Sequence, residues 1–147
     1  MKKLLLLLTV FFTSSSLMAD VTSVQQTLVG TEFIVNLDGV DVYFTITDDG
    51  DTKTAKVGLQ NFSFDKRAVA HDISQATITI PETVEYNGTN YTVTAIGDGA
   101  FWSVYGLEEV IMPETIETIG GAAFYGAAGL TTIHIPAAVT SIGFMAF

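Results

Sequence analysis

Ile96-Gly97-Asp98-Gly99-Ala100-Phe101 is followed by Ile119-Gly120-Gly121-Ala122-Ala123-Phe124 and then by Ile142-Gly143-Phe144-Met145-Ala146-Phe147, each 23 residues after the last. Self-similarity at a fixed period marks a chain built from units that stack, because one unit is too small to bury an apolar face alone. The agreement extends between the hexapeptides: Leu107 aligns with Leu130, Val110 with Ile133, Met112 with Ile135, Pro113 with Pro136 and Ile116 with Val139. A degraded earlier copy, Ile78-Thr79-Ile80-Pro81-Glu82-Thr83-Val84, lies 32 residues before Val110-Ile111-Met112-Pro113-Glu114-Thr115-Ile116, so nine residues have been inserted after it. The insertion carries Tyr86-Asn87-Gly88-Thr89, an Asn-Gly pair between β-prone arms, and this predicts a hairpin.

The unit has a physical reading. Leu-x-x-(Val/Ile)-x-(Met/Ile)-Pro alternates over a short strand, and proline ends the ladder because it has no N–H to donate. The Ile-Gly-x-x-Ala-Phe that follows fits a turn or short helix returning across the opposite face, with Ala allowing close approach and Phe filling the interior. Stacked at a strand spacing of about 4.8 Å, such units predict a solenoid with parallel strands on one side and turns on the other.

The combined pattern resembles the BspA-type leucine-rich repeat, a 23-residue class found in bacterial surface proteins. The match is strong over Ile78 to Phe147 and weak over Phe33 to Ile73. That family often has Cys three residues after the Phe, where this chain has Val104 and Ala127. The expected fold is mainly β with short helical turns: a leucine-rich repeat solenoid of about three units, preceded by an N-terminal β-meander cap. The resemblance implies adhesion to host matrix proteins or to other bacterial cells.

The cap is read from residues 20–73. Thr31 to Leu37 alternates, Val40 to Ile46 alternates again after Asp38-Gly39, and a third arm, Thr52 to Leu59, follows Asp48-Asp49-Gly50-Asp51. Covering the terminal strand of the repeats, which occupy 74–147, would prevent end-to-end association. Asp65 to Ser74 is expected to be a surface loop or a single helical turn.

Residues 1–19 read as a secretory signal peptide: Lys2 and Lys3 precede the apolar run Leu4 to Phe12, and cleavage is expected after Ala19. Nine helical residues would rise about 14 Å, half of a bilayer core of about 30 Å, so no membrane span is expected after cleavage. The expected location is secreted or cell surface. The remaining chain has 4 basic and 16 acidic residues, a net charge of −12, which argues against nucleic acid as a partner. With 48% hydrophobic and 15% charged residues the chain is too apolar to be disordered. It has no Cys, so disulfide scaffolds, thiol nucleophiles and Cys-based zinc sites are excluded.

Catalytic chemistry finds little support. Asp48, Asp49 and Asp51 could chelate Ca²⁺, but the EF-hand order of ligands is absent and a turn is the preferred reading. Glu82/Glu85 and Glu114/Glu117 recur at identical offsets, as solvent-facing repeat positions do and a unique catalytic pair does not. His71 and His134 are the only histidines and lie in no metal-ligand spacing. Asn87-Gly88-Thr89 and Asn61-Phe62-Ser63 fit glycosylation acceptors, the first being preferred as a turn. No catalytic residue, cofactor or metal is expected.

The possible ligand face consists of the residues that alternation turns outward from the strands, in two rows, Thr77/Glu109/Thr132 and Thr79/Ile111/His134. Leu107, Val110 and Met112 turn inward. The function expected is non-catalytic protein–protein or cell adhesion, with host matrix or bacterial surface proteins as partners. The alternative is a carbohydrate-binding module or accessory domain of a carbohydrate-active enzyme, with Trp102, Tyr105 and Tyr125 as stacking faces for glycans. Trp102 could equally be a satellite core residue. Because Phe147 completes a hexapeptide, the sequence also predicts either a fragment of a longer array or self-association through the open repeat end.

Overall fold

A computed structural model describes residues 27–63, 67–69, 73 and 76–147. The expected signal peptide, His71 and much of the 65–74 segment lie outside the described residues. β1 (Glu32–Leu37), β2 (Val40–Asp48) and β3 (Thr54–Val57) form an antiparallel meander. Asp38 and Gly39 make the first turn at φ 52° and 89°. β4 (Ala76–Thr79) is followed by the hairpin of β5 (Thr83–Tyr86) and β6 (Thr89–Ile96), with Asn87 and Gly88 at φ 50° and 77° between its arms. The repeats then supply β7 (Leu107–Ile111), β8 (Thr118–Ile119) and β9 (Ser141–Ile142).

Seven of these strands make one mixed sheet in the order β1-β2-β3-β6-β8-β9, with β5 also on β6, while β4 and β7 form a separate parallel pair. β3 runs parallel to β6, Ala55 opposite Val93, so the meander and the repeats share one sheet. They also share one core, in which Phe44, Tyr91, Phe101, Leu107 and Ile116 are all fully buried.

The expected solenoid with short helical turns is corrected by this arrangement, which is all-β and mixed, with no helix among the described residues. The reason lies in where the N–H groups go. A helix requires each N–H to reach the carbonyl four residues back. Here Gly99, Phe101 and Ser103 donate sideways to the carbonyls of Gly121, Ala123 and Tyr125 at 2.9, 2.7 and 2.8 Å. Ala122 and Phe124 in turn donate to Phe144 and Ala146 at 2.9 and 2.7 Å. The N–H groups between them close short turns, Ala100 to Gly97, Trp102 to Gly99 and Val104 to Phe101. Left-handed residues recur in step, at Gly99, Ala122 and Met145 (φ 57°, 51° and 53°) and at Ser103 and Gly126 (49° and 70°). A right-handed helix does not accommodate that conformation.

The stacking fixes the repeat's glycines and aromatics. Gly97, Gly120 and Gly143 donate to the carbonyls of Val57, Ile96 and Ile119, each at 2.8 Å. A Cβ on Gly120 would lie 2.5 Å from the Asp98 nitrogen, and one on Gly143 2.4 Å from the Gly121 nitrogen, so the backbones approach too closely for any side chain. Phe101 and Phe124 stack at 5.1 Å and 9°, and Phe124 and Phe147 at 5.5 Å and 5°.

Two opposite substitutions check this account. Ala122→Gly relieves a left-handed alanine and is expected to raise stability by about 0.5–1 kcal/mol. Gly120→Ala places a methyl in the backbone contact and is expected to lower it by more than about 1 kcal/mol. Urea unfolding midpoints that moved the same way for both would contradict the stacking geometry.

Candidate functional site

The parallel pair β4 and β7 builds the surface on which four of the six residues expected to form a ligand face meet. Their register sets Thr77 opposite Glu109, Ile78 opposite Val110 and Thr79 opposite Ile111. Ile78, Leu107 and Val110 are buried, which anchors the sheet and leaves Thr77, Thr79, Glu109 and Ile111 facing outward. Ile111 is 46% exposed, a large apolar side chain with polar neighbours.

Thr132 and His134 are exposed too, but they lie outside the ladder. Residues 130–135 form no strand, although Leu130, Ile133 and Ile135 pack against the core. His134 Nε2 lies 3.9 Å from Glu114 Oε1, while Glu114 Oε2 accepts the Ala137 N–H at 3.1 Å. Sequence reading missed Glu108. The ladder skips it, pairing Ala76 with Leu107 and Thr77 with Glu109, and leaves it exposed beside Glu109. A register irregularity of this kind has no local sequence signal.

The other candidates serve the fold. Asp48 accepts the Gly50 N–H at 3.1 Å and the Thr52 hydroxyl, and these bonds hold its carboxyl below the ordinary aspartate value. Asp49 accepts the Tyr91 hydroxyl at 2.7 Å and lies 3.6 Å from Lys53 Nζ. The Tyr91 bond is the main reason the Asp49 carboxyl titrates low. It also pushes the Tyr91 phenol up to about 12, with burial and the Asp49 charge adding to the shift. No group of three or more His, Cys, Asp or Glu able to hold a metal occurs among the described residues. Glu82, Glu85, Glu114 and Glu117 are exposed repeat positions. Trp102 is half-buried, stacked on Tyr125 at 4.6 Å and tilted against Phe62 at 5.8 Å. At the far end of the repeats Phe144 is 85% and Phe147 54% exposed.

The 23-residue stacking has a counterpart among known families: the model of the BspA type leucine rich repeat region, described as six copies, matches residues 63–147. The chain belongs to the BspA-type leucine-rich repeat family. This BspA-type chain is similar to a leucine rich cell surface protein from Faecalibacterium prausnitzii, whose crystal structure aligns with a TM-score of 0.53 and 28% identity. The alignment covers 76% of this chain and 26% of that one, so the chain spans about a quarter of that protein's length. A leucine-rich repeat protein from Bacteroides capillosus aligns with a TM-score of 0.48 and 24% identity, over 76% of this chain and 86% of its own. One from Bacteroides ovatus aligns with a TM-score of 0.47 and 23% identity, over 78% and 32%. No curated protein matches the chain.

The Asp49–Tyr91 contact gives a pH signature. A depressed Asp49 stabilises the fold above its unfolded value of about 3.9, and that contribution is lost as pH falls through the lowered folded value. A raised Tyr91 contributes fully below about 10 and loses its contribution as pH climbs towards 12. Tyr91→Phe is therefore expected to cost about 1 kcal/mol at neutral pH and less at both extremes. Urea unfolding of both proteins at about pH 3, 7 and 11 measures it, and a penalty that stayed constant would contradict the assignment.

Proposed function

We propose that this BspA-type repeat chain is a secreted or cell-surface protein that binds other proteins through the outward face of β4 and β7 and carries out no catalysis. The observation that carries the proposal is the pairing of Thr77 with Glu109 and Thr79 with Ile111 on a sheet face whose opposite side buries Ile78, Leu107 and Val110. Rigid strands hold these side chains at fixed spacing, and repeat proteins bind through such extended surfaces. Thr132 and His134, exposed but outside the ladder, are proposed as further contacts of this surface. The signal-peptide pattern of residues 1–19 supports export. The similar Faecalibacterium prausnitzii protein is described as a cell surface protein, which favours the same location for this chain.

Host matrix or bacterial surface proteins are the partners this reading favours. A glycan platform has less support, because the Trp102 and Tyr125 rings stack on each other at 4.6 Å and so occupy one another's faces. Residues 20–73 are proposed to cap the repeats, a role supported by the pairing of β3 with β6.

The test is retention of the purified chain on immobilised matrix proteins and on intact bacterial cells, beside a neutral Thr79→Gln/Ile111→Gln variant with an unchanged circular dichroism spectrum. The variant is expected to bind at least about tenfold more weakly. Equal binding by both proteins, or no retention on any of these surfaces, would overturn the proposal.

A further inference from the structure

We infer that the outward face of β4 and β7 receives an extended segment of a partner protein that carries lysine or arginine at alternate positions. This rests on the docking function proposed above and adds the chemistry of the partner. From Ala76 to Phe147 the chain has seven carboxylates and no lysine or arginine, and all seven are exposed. The lysines and arginines of the described residues, Lys53, Lys56 and Arg67, all precede β4.

Glu108 and Glu109 are the carboxylates of this acidic region that lie on β7. Neither has an ion pair or a side-chain hydrogen bond among the described residues. Of the other carboxylates in this region, Asp98 accepts the Gly121 N–H at 2.7 Å and Glu114 the Ala137 N–H at 3.1 Å, whereas Glu82, Glu85 and Glu117 likewise have no side-chain partner among the described residues. His134, the one histidine among the described residues, already lies against Glu114. Two adjacent carboxylates therefore stand on the sheet without a counter-charge among the described residues, beside the Thr77 and Thr79 hydroxyls and the apolar Ile111.

That combination selects its occupant. In an extended segment every second side chain faces the sheet, about 6.8 Å from the next. Basic residues so spaced would meet the carboxylates, with hydroxyl and apolar contacts between them. A second copy of this chain would bring carboxylates against carboxylates and is disfavoured, as is the phosphate backbone of a nucleic acid.

The experiment measures binding of the whole chain to two labelled peptides by fluorescence anisotropy, one of alternating Lys and Thr and one of alternating Glu and Thr. The Lys peptide is expected to bind at least about tenfold tighter than the Glu peptide and to weaken several-fold as salt rises from about 50 to about 300 mM. Glu108→Gln/Glu109→Gln is expected to weaken it at least about fivefold. Asp38→Asn/Asp51→Asn, which removes the same charge from turns of the meander, is expected to change it less than about twofold. No binding of the Lys peptide, or equal losses in the two double variants, would overturn the inference, the second by showing only diffuse net charge. Retention on matrix or cells that survived Glu108→Gln/Glu109→Gln but was lost in Thr79→Gln/Ile111→Gln would also overturn it while leaving the docking face standing.

Discussion

The structure depends on one contact repeated sideways: the N–H of Phe101 on the carbonyl of Ala123 and the N–H of Phe124 on the carbonyl of Ala146, each at 2.7 Å. A buried backbone N–H left without an acceptor is costly, so these donors fix the register between neighbouring repeats. The rest of the unit conforms to that register. Phe101, Phe124 and Phe147 stack ring on ring, the Ile-Gly glycines let the backbones touch, and β6, β8 and β9 pair at the same offset of 23 residues. A slip of one residue would break all three at once. The constraint also explains why a segment that could close into a helical turn does not, since alternate donors are already committed to the next repeat.

Fixing the inside in this way frees the outside. Ile78, Leu107 and Val110 secure the small parallel sheet from beneath, so Thr77, Thr79, Glu109 and Ile111 have no packing role to fulfil. Asp48 and Asp49 of the meander turn are tied to Thr52, Tyr91 and Lys53, whereas Glu108 and Glu109 have no side-chain partner among the described residues. Division of labour between a locked interior and an unassigned exterior is what makes repeat surfaces adaptable for recognition.

Much of this was legible in the sequence because the deciding signals are local and recur. The 23-residue period, the alternation that buries Val110 and Met112 and exposes Glu109 and Ile111, and the Asn87-Gly88 turn all follow from neighbouring residues. The helical turns were expected wrongly because Ile-Gly-x-x-Ala-Phe has the same spacing in a helix and in a chain of short turns. What separates the two is an acceptor in another repeat. The pairing of Tyr91 with Asp49 spans 42 residues and leaves no pattern in either segment. Residues 130–135 match those of β7 in sequence yet form no strand, so Thr132 and His134 were placed in a ladder that the chain does not continue. Glu108 was overlooked because strict alternation takes no account of a skipped residue.

Amide hydrogen exchange across the repeats tests the central claim most directly. If the lateral hydrogen bonds hold the units in register, the amides of Gly99, Phe101, Ser103, Ala122 and Phe124 will exchange only with global unfolding, and their protection will fall with urea in step with the unfolding free energy. Exchange of these five amides at rates typical of open loops, with β2 and β6 still protected, would show that the repeats are not tied sideways and would contradict the account.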